Sequence, residues 1–236
     1  MHWEEASSFK QDVKVLSMRV EALLFDMDGL LIDSERIVQK SWELAGRDLG
    51  YRNVGQIIYR TLGMNRVRRD LYFKETYGGD FPCDVFAERS SRYFYEIASG
   101  GVPVKDGARD LLEYAKSHGY KLAVATSSRR AYAEKVLKDI DIYRYFDGMV
   151  TGDMVEHSKP DPEVYLKASA LVNTEPDRCI ALEDAPAGIR AAHAAGTIPV
   201  LIPDLLEPPV EIAELAFRKY KSLREVIPLL ESLGQN

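Results

Sequence analysis

Four short strings in the 236-residue chain hold side chains able to do chemistry together: Asp26-Met27-Asp28-Gly29, Thr126-Ser127, Lys159-Pro160-Asp161-Pro162 and Glu183-Asp184. Taken singly, each has an ordinary structural use. Aspartates after a strand cap helices and form turns, and a Lys-Pro pair suits the first turn of a helix. Three of the strings share a feature that such uses do not explain, because each ends an apolar run of strand length: residues 20–25, 121–125 and 179–182. If those runs lie side by side in a parallel sheet, ligands bind beyond their carboxyl ends. Asp26, Asp28, Thr126, Ser127, Glu183 and Asp184 then share one crevice. Four carboxylates at close quarters repel one another unless a cation joins them, and an all-oxygen cluster that keeps waters suits Mg²⁺. The histidines, at positions 2, 118, 157 and 193, have no zinc-site spacing, and neither cysteine adds a ligand.

The elements that must position these groups follow from hydrophobic periodicity. The three runs, with a fourth at 198–202, have the length and apolar continuity of strands buried on both faces, and each is followed by a helix-like or turn segment. Strands alternating with helices imply βαβ units, an α/β fold and a parallel sheet covered on both faces. Residues 34–101 interrupt this alternation without any buried-strand run, and are too long for a loop. Helical patterns are present instead: Ile37, Trp42, Leu44 and Ala45; Leu62, Val67, Leu71 and Tyr72; Phe86, Tyr93, Phe94 and Ile97. This segment is predicted to be a small inserted helical domain, with Gly100-Gly101 before Pro103 as its hinge. The predicted layout is a tail over 1–17, with Met18 as an alternative start, a core domain over 18–33 and 102–236, and a helical cap over 34–101.

Composition narrows the function class. Thirty-one Lys and Arg against 37 Asp and Glu give a net charge of −6, and 46% of residues are hydrophobic. That balance is globular, not disordered. It lacks the basic clusters that nucleic acid or an anionic membrane surface requires, beyond Arg66, Arg68 and Arg69. The most apolar stretch, 20–32, already carries Glu21, Asp26 and Asp28, which excludes a spanning helix there. The first residues, with Glu4, Glu5, Lys10 and Asp12, do not read as a signal peptide. With two unpaired cysteines as well, the expected compartment is the cytoplasm.

In order, D-M-D-G, A-T-S-S, K-P-D-P-E and E-D-A-P-A-G resemble the four motifs of the haloacid dehalogenase superfamily, in its capped phosphatase and β-phosphoglucomutase-like branch. The resemblance runs from about residue 20 to the C-terminus. It implies a Rossmann-like core with a helical cap and a Mg²⁺-dependent phosphatase acting through an aspartyl-phosphate. The substrate would be a small phosphorylated metabolite of the sugar phosphate or nucleoside phosphate class. By the same resemblance Asp26 is the nucleophile and Asp28 the general acid and base. Asp26, the backbone carbonyl of Asp28 and Asp184 would hold the metal, with Glu183 beside it. Thr126 and the Ser127 amide would hold phosphoryl oxygens, and Lys159 would stabilise charge on them.

Departures from the pattern also inform. Mutases of this branch carry a histidine ten residues after the acid/base aspartate; here that position is Val38, which disfavours the nearest rival, a sugar phosphomutase. The presence of Asp28 argues against carbon–halogen cleavage, and Ala185 replaces the usual serine of the fourth motif. A signalling phospho-acceptor or a non-catalytic binding protein is a further rival; a receiver would lack the helical insertion, and intact motifs argue against a binding protein. Asn65 and Arg66 lie where caps of this family carry a specificity loop. They either touch the leaving group or begin a helix with a solvated basic face. Arg129 either reaches a second anionic group or sits at an exposed helix start. Tyr93, Phe94 and Tyr95 are expected in the cap core, and His118 and His193 on the surface.

Overall fold

The computed structural model describes residues 19–61 and 66–234; the expected tail over 1–17 and Asn65 lie outside them. Six strands form one parallel sheet in the order β3-β2-β1-β4-β5-β6, with β1 Ala22–Phe25, β2 Lys121–Ala125, β3 Gly148–Val150, β4 Cys179–Glu183, β5 Ile198–Leu201 and β6 Arg218–Lys219. This is the Rossmann-like α/β core expected from the strand–helix alternation. The four predicted strands are present, and the short edge strands β3 and β6 are additional.

Strand β1 is central and fully buried, so its side chains divide by the two-residue period between the two faces. Leu23 and Phe25 join one cluster with Leu122, Val124, Ile180 and Leu182. Ala22 and Leu24 join the other with Ala123, Ala125, Cys179 and Ala181. The second face is built almost wholly of small residues, so what covers it can approach closely. Its cover includes Val164, Tyr165 and Ala168 of the helix Glu163–Leu171, and Ala191 and Ala192 of the helix Pro186–Ala194. The register Phe25↔Val124 and Phe25↔Leu182 brings the carboxyl ends of β2, β1 and β4 side by side.

From β1 the chain leaves the sheet for a helical segment and returns beside its own exit. Ile32 bridges Val104 antiparallel, the Asp33 amide donates to Pro103 O (2.8 Å), and the Lys105 amide donates to Leu31 O (3.0 Å). The segment between holds α1 Glu35–Asp48, α2 Arg66–Tyr77 and α3 Cys83–Ala98. Trp42, Ala45, Val54, Ile57, Ile58, Phe73, Phe81 and Phe86 form a core of its own. Phe73 stacks on Phe81 with centroids 5.0 Å apart, and Trp42 meets Phe73 edge-on.

Two expectations about this segment are corrected. The predicted stripe Leu62, Val67, Leu71 and Tyr72 holds only in part: Leu62 lies outside the described residues and Tyr72 packs against the helical cluster, but Val67 and Leu71 are 71% and 55% exposed, and Phe73 is the buried residue of α2. Nor do Tyr93, Phe94 and Tyr95 all enter the cap core. Consecutive helical residues point about 100° apart, so Tyr93 packs on the helical cluster and donates to Asp48 Oδ2 (2.6 Å), Phe94 packs on the sheet domain's cluster, and Tyr95 stays exposed.

Candidate active site

The strand ends deliver the predicted groups to one place. Asp26 follows β1, Thr126 follows β2, and Glu183 and Asp184 end β4 and the turn after it; all four are buried. One carboxylate oxygen each from Asp26, Glu183 and Asp184 lies within 4.8 Å of the others. Lys159 arrives from the loop before the helix Glu163–Leu171. Its Nζ donates to Asp26 Oδ1 (2.5 Å), Glu183 Oε1 (2.6 Å) and Ala125 O (2.8 Å). The small residues of the sheet face make this reach possible, because a bulkier layer would hold the lysine-bearing segment away from β2.

Charge and burial act against each other here. Burial drives the Asp26 carboxyl up, Lys159 pulls it back, and the charges of Glu183 and Asp28 push it up again. Asp184 is raised well above the ordinary carboxylate range by burial and then by Asp26 and Glu183. Burial also opposes the Lys159 charge, but Asp26 and Glu183 outweigh it and hold the ammonium above its usual pKa. One ammonium cannot neutralise three carboxylates, so ionising all three in this buried pocket of oxygen donors, with no His or Cys in the group, calls for a further positive charge. Such a donor set fits a hard cation.

Asp28 stands apart from this cluster. Ser34 Oγ donates to its Oδ1 (2.8 Å) and Ser128 Oγ to its Oδ2 (2.7 Å), which turns its side chain away from the three grouped acids. Burial raises its pKa, against the hydrogen bonds from Ser128 and Ser34. Thr126 Oγ1 accepts from the Ser128 amide (3.0 Å), and Ser127 is exposed. The sequence alone does not single out these two hydroxyls, although Ser128 stands inside A-T-S-S and Ser34 follows Asp28 by six residues.

Two glycines set close approaches. Gly29 has φ +86°, and a Cβ there would sit 2.2 Å from Asp184 Oδ2, so the turn after Asp28 admits no side chain. Gly188, in the first turn of the helix Pro186–Ala194, presses on Glu183: a Cβ would fall 1.9 Å from its Oε1. Glu183 cannot yield, because Lys159 and the Tyr165 hydroxyl both donate to that oxygen. Gly188→Ala is expected to cost about 1–3 kcal/mol through overpacking, read as a melting temperature several degrees lower. An unchanged melting temperature would mean that Glu183 is free to move.

A cavity of about 480 Å³ opens above Asp28 and Ser128, between the sheet and the helical segment, and it is lined also by Glu35, Val38, Trp42, Arg69, Arg129 and Tyr132. Arg129 thus stands at the cavity. Arg66 does not line it: its guanidinium is held by Asp84 (2.6 Å) and Asp70 (3.5 Å), and its side chain is exposed, the solvated alternative of the two expected. Arg69, one turn on, was passed over as part of a charged run. His118 and His193 are exposed, as expected. Among the described residues no helix is long and apolar enough to cross a membrane.

Comparison with known proteins agrees with this arrangement. Over 177 residues the chain is 32% identical to a phosphorylated carbohydrates phosphatase of Thermotoga maritima, covering 75% of this chain and 82% of that one. Over 173 residues it is 34% identical to the validoxylamine A 7'-phosphate phosphatase of Streptomyces hygroscopicus subsp. limoneus, covering 73% and 81%. The crystal structure of CbbY from Rhodobacter sphaeroides in complex with phosphate superposes with a TM-score of 0.70 at 28% identity, covering 88% of this chain and 96% of that one. The profile of the haloacid dehalogenase-like hydrolases matches residues 20–196, the span that carries all four strings, and the chain belongs to that family.

Proposed function

We propose that this phosphoric monoester hydrolase cleaves a small phosphorylated metabolite of the sugar phosphate or nucleoside phosphate class through an aspartyl-phosphate on Asp26, with Mg²⁺ as cofactor. The observation that carries the reading is the convergence of Asp26, Lys159, Glu183 and Asp184 at adjacent strand ends, beside a second aspartate that is held separately.

An Asp26 carboxylate oxygen attacks phosphorus as the bond to the leaving oxygen breaks, and Asp28 gives its proton to that oxygen. Asp28 then takes a proton from water, whose oxygen attacks phosphorus and frees Asp26 as carboxylate. Two features support Asp28 in this role: its two serine partners fix its direction, and burial favours its protonated form. Lys159 offsets charge on the phosphoryl oxygens, with Thr126 and the Ser127 amide completing their cradle. Asp26, the Asp28 backbone carbonyl and Asp184 would hold Mg²⁺, with Glu183 beside it. When bound, the ion offsets the charge shared by carboxylates and phosphoryl group.

The helical segment, 34–101, serves as a cap that excludes water from the first step and meets the leaving group. Val38 lines the cavity and can neither donate nor accept a proton, which supports water over a second sugar hydroxyl as acceptor. The test is phosphate release from a panel of sugar and nucleoside phosphates. Chelation with EDTA is expected to stop turnover and Mg²⁺ to restore it, and Asp184→Ala should raise the Mg²⁺ concentration needed for half-maximal rate. Full activity in excess chelator would overturn the metal assignment.

A further inference from the structure

Lys159 has no donor left over for a substrate. An ammonium carries three N–H donors, and here they go to Asp26 Oδ1 (2.5 Å), Glu183 Oε1 (2.6 Å) and Ala125 O (2.8 Å). The side chain is 7% exposed, so water offers little in exchange. A lysine that is to stabilise charge on phosphoryl oxygens must therefore let go of one protein partner first. The cost of doing so falls on the acceptor, because a buried polar atom left bare costs far more than a bond exchanged for another.

Tyr165 decides which partner can be released. It is fully buried against the small-residue face of the sheet, with Ala123, Ala125 and Ala181, and its hydroxyl donates to Glu183 Oε1 (2.5 Å). That oxygen thus has two donors, whereas Asp26 Oδ1 has Lys159 as its one side-chain donor among the described residues. Lys159 can leave Glu183 without stripping it. Gly188 presses on the same carboxylate, which keeps it in place as the lysine shifts. The ring of Tyr165 lies 5.0 Å from Lys159 Nζ, near enough for its face to attract the ammonium as well.

Resting on the phosphatase reading above, we propose that Tyr165 is a positioning residue, whose hydroxyl keeps Glu183 satisfied while Lys159 transfers a hydrogen bond from that carboxylate to an oxygen of the bound phosphoryl group. The exchange breaks no covalent bond and moves no proton between groups. It operates in every state that holds a phosphoryl group, so it contributes to the binding of phosphate as well as to turnover.

Tyr165→Phe keeps the ring and removes the hydroxyl. Lys159 can then meet the phosphoryl group only by leaving Glu183 Oε1 bare. Inorganic phosphate titrated calorimetrically in Mg²⁺ is expected to bind about ten-fold more weakly than to the wild type, and KM for p-nitrophenyl phosphate to rise by about the same factor with kcat within about two-fold. In the empty protein Lys159 still serves Glu183, so the variant should fold and melt cooperatively. A merely structural hydroxyl would lower the melting temperature and leave both constants alone. A second background locates the action: in Glu183→Gln the acceptor is neutral and costs less to leave, so adding Tyr165→Phe should weaken phosphate by about two-fold or less. The proposal is overturned if Tyr165→Phe binds phosphate as the wild type does, if it fails to fold, or if the ten-fold loss persists undiminished in the Glu183→Gln background, which would trace it to packing and not to Glu183. A wild type that neither binds phosphate nor releases it from p-nitrophenyl phosphate overturns the phosphatase reading itself, before any variant is compared.

Discussion

Asp26→Asn is expected to abolish phosphate release while leaving the fold intact. The amide matches the carboxylate in shape but has no anionic oxygen with which to attack phosphorus. The site accommodates it: Lys159 donates to Asp26 Oδ1, and an amide oxygen in that place still accepts. The lysine keeps Glu183 and Ala125 O as partners in either case. Removing one negative charge from a crowded acid cluster also relieves repulsion, so the variant should melt no lower than the wild type. Activity and stability are therefore expected to part company, and both are needed for the test. A folded Asp26→Asn protein that still turns over at a substantial fraction of the wild-type rate would remove Asp26 from the chemistry and leave the convergence of acids without its proposed purpose.

Much of the core was legible because burial on both faces leaves a plain mark. Residues 22–25, 122–125 and 179–182 are short apolar runs in which successive residues alternate between two clusters, and each stops at a polar string. Strands β3 and β6 carried no such mark. They are three and two residues long and form the two edges of the sheet, too short for periodicity to register. In the helical segment the elements were legible and their faces were less so. Of the stripe expected on α2, Tyr72 packs on the helical cluster while Val67 and Leu71 face solvent, and the buried residue is Phe73, because the aromatic cluster of Trp42, Phe81 and Phe86 decides which side is inside.

The same division runs through the site. Residues attached to strand ends were placed by topology alone, since adjacent strands must bring their ends together. Those that depend on rotation about a helix or on a distant partner were not. Arg66 and Arg69 are neighbours on one helix, and no local rule tells them apart. What separates them is Asp84, at the start of α3, which draws Arg66 outward and leaves Arg69 over Trp42 beside the cavity. Ser34 and Ser128 illustrate the other case: their hydroxyls matter only because a residue 6 positions away in one case and 100 in the other presents a carboxylate to them.

Those two serines bear on the second large expected effect. Asp28→Asn should slow turnover by about 10²- to 10⁴-fold, the usual contribution of a positioned acid and base. The substitution should be well tolerated structurally, because a serine hydroxyl can either donate or accept and so can turn to meet the new amide. The loss should depend on the leaving group. An alcohol of high pKa needs the proton that Asp28 supplies as the bond to phosphorus breaks, whereas p-nitrophenolate leaves unaided. In rapid-mix measurements of the first step, Asp28→Asn is thus expected to slow a sugar phosphate far more than p-nitrophenyl phosphate. The second step requires water to lose a proton whichever ester was used, so steady-state rates for both substrates should fall once that step limits. A first step slowed equally for the two esters would show that Asp28 does not protonate the leaving oxygen, and its hold on Ser34 and Ser128 would then be its main contribution.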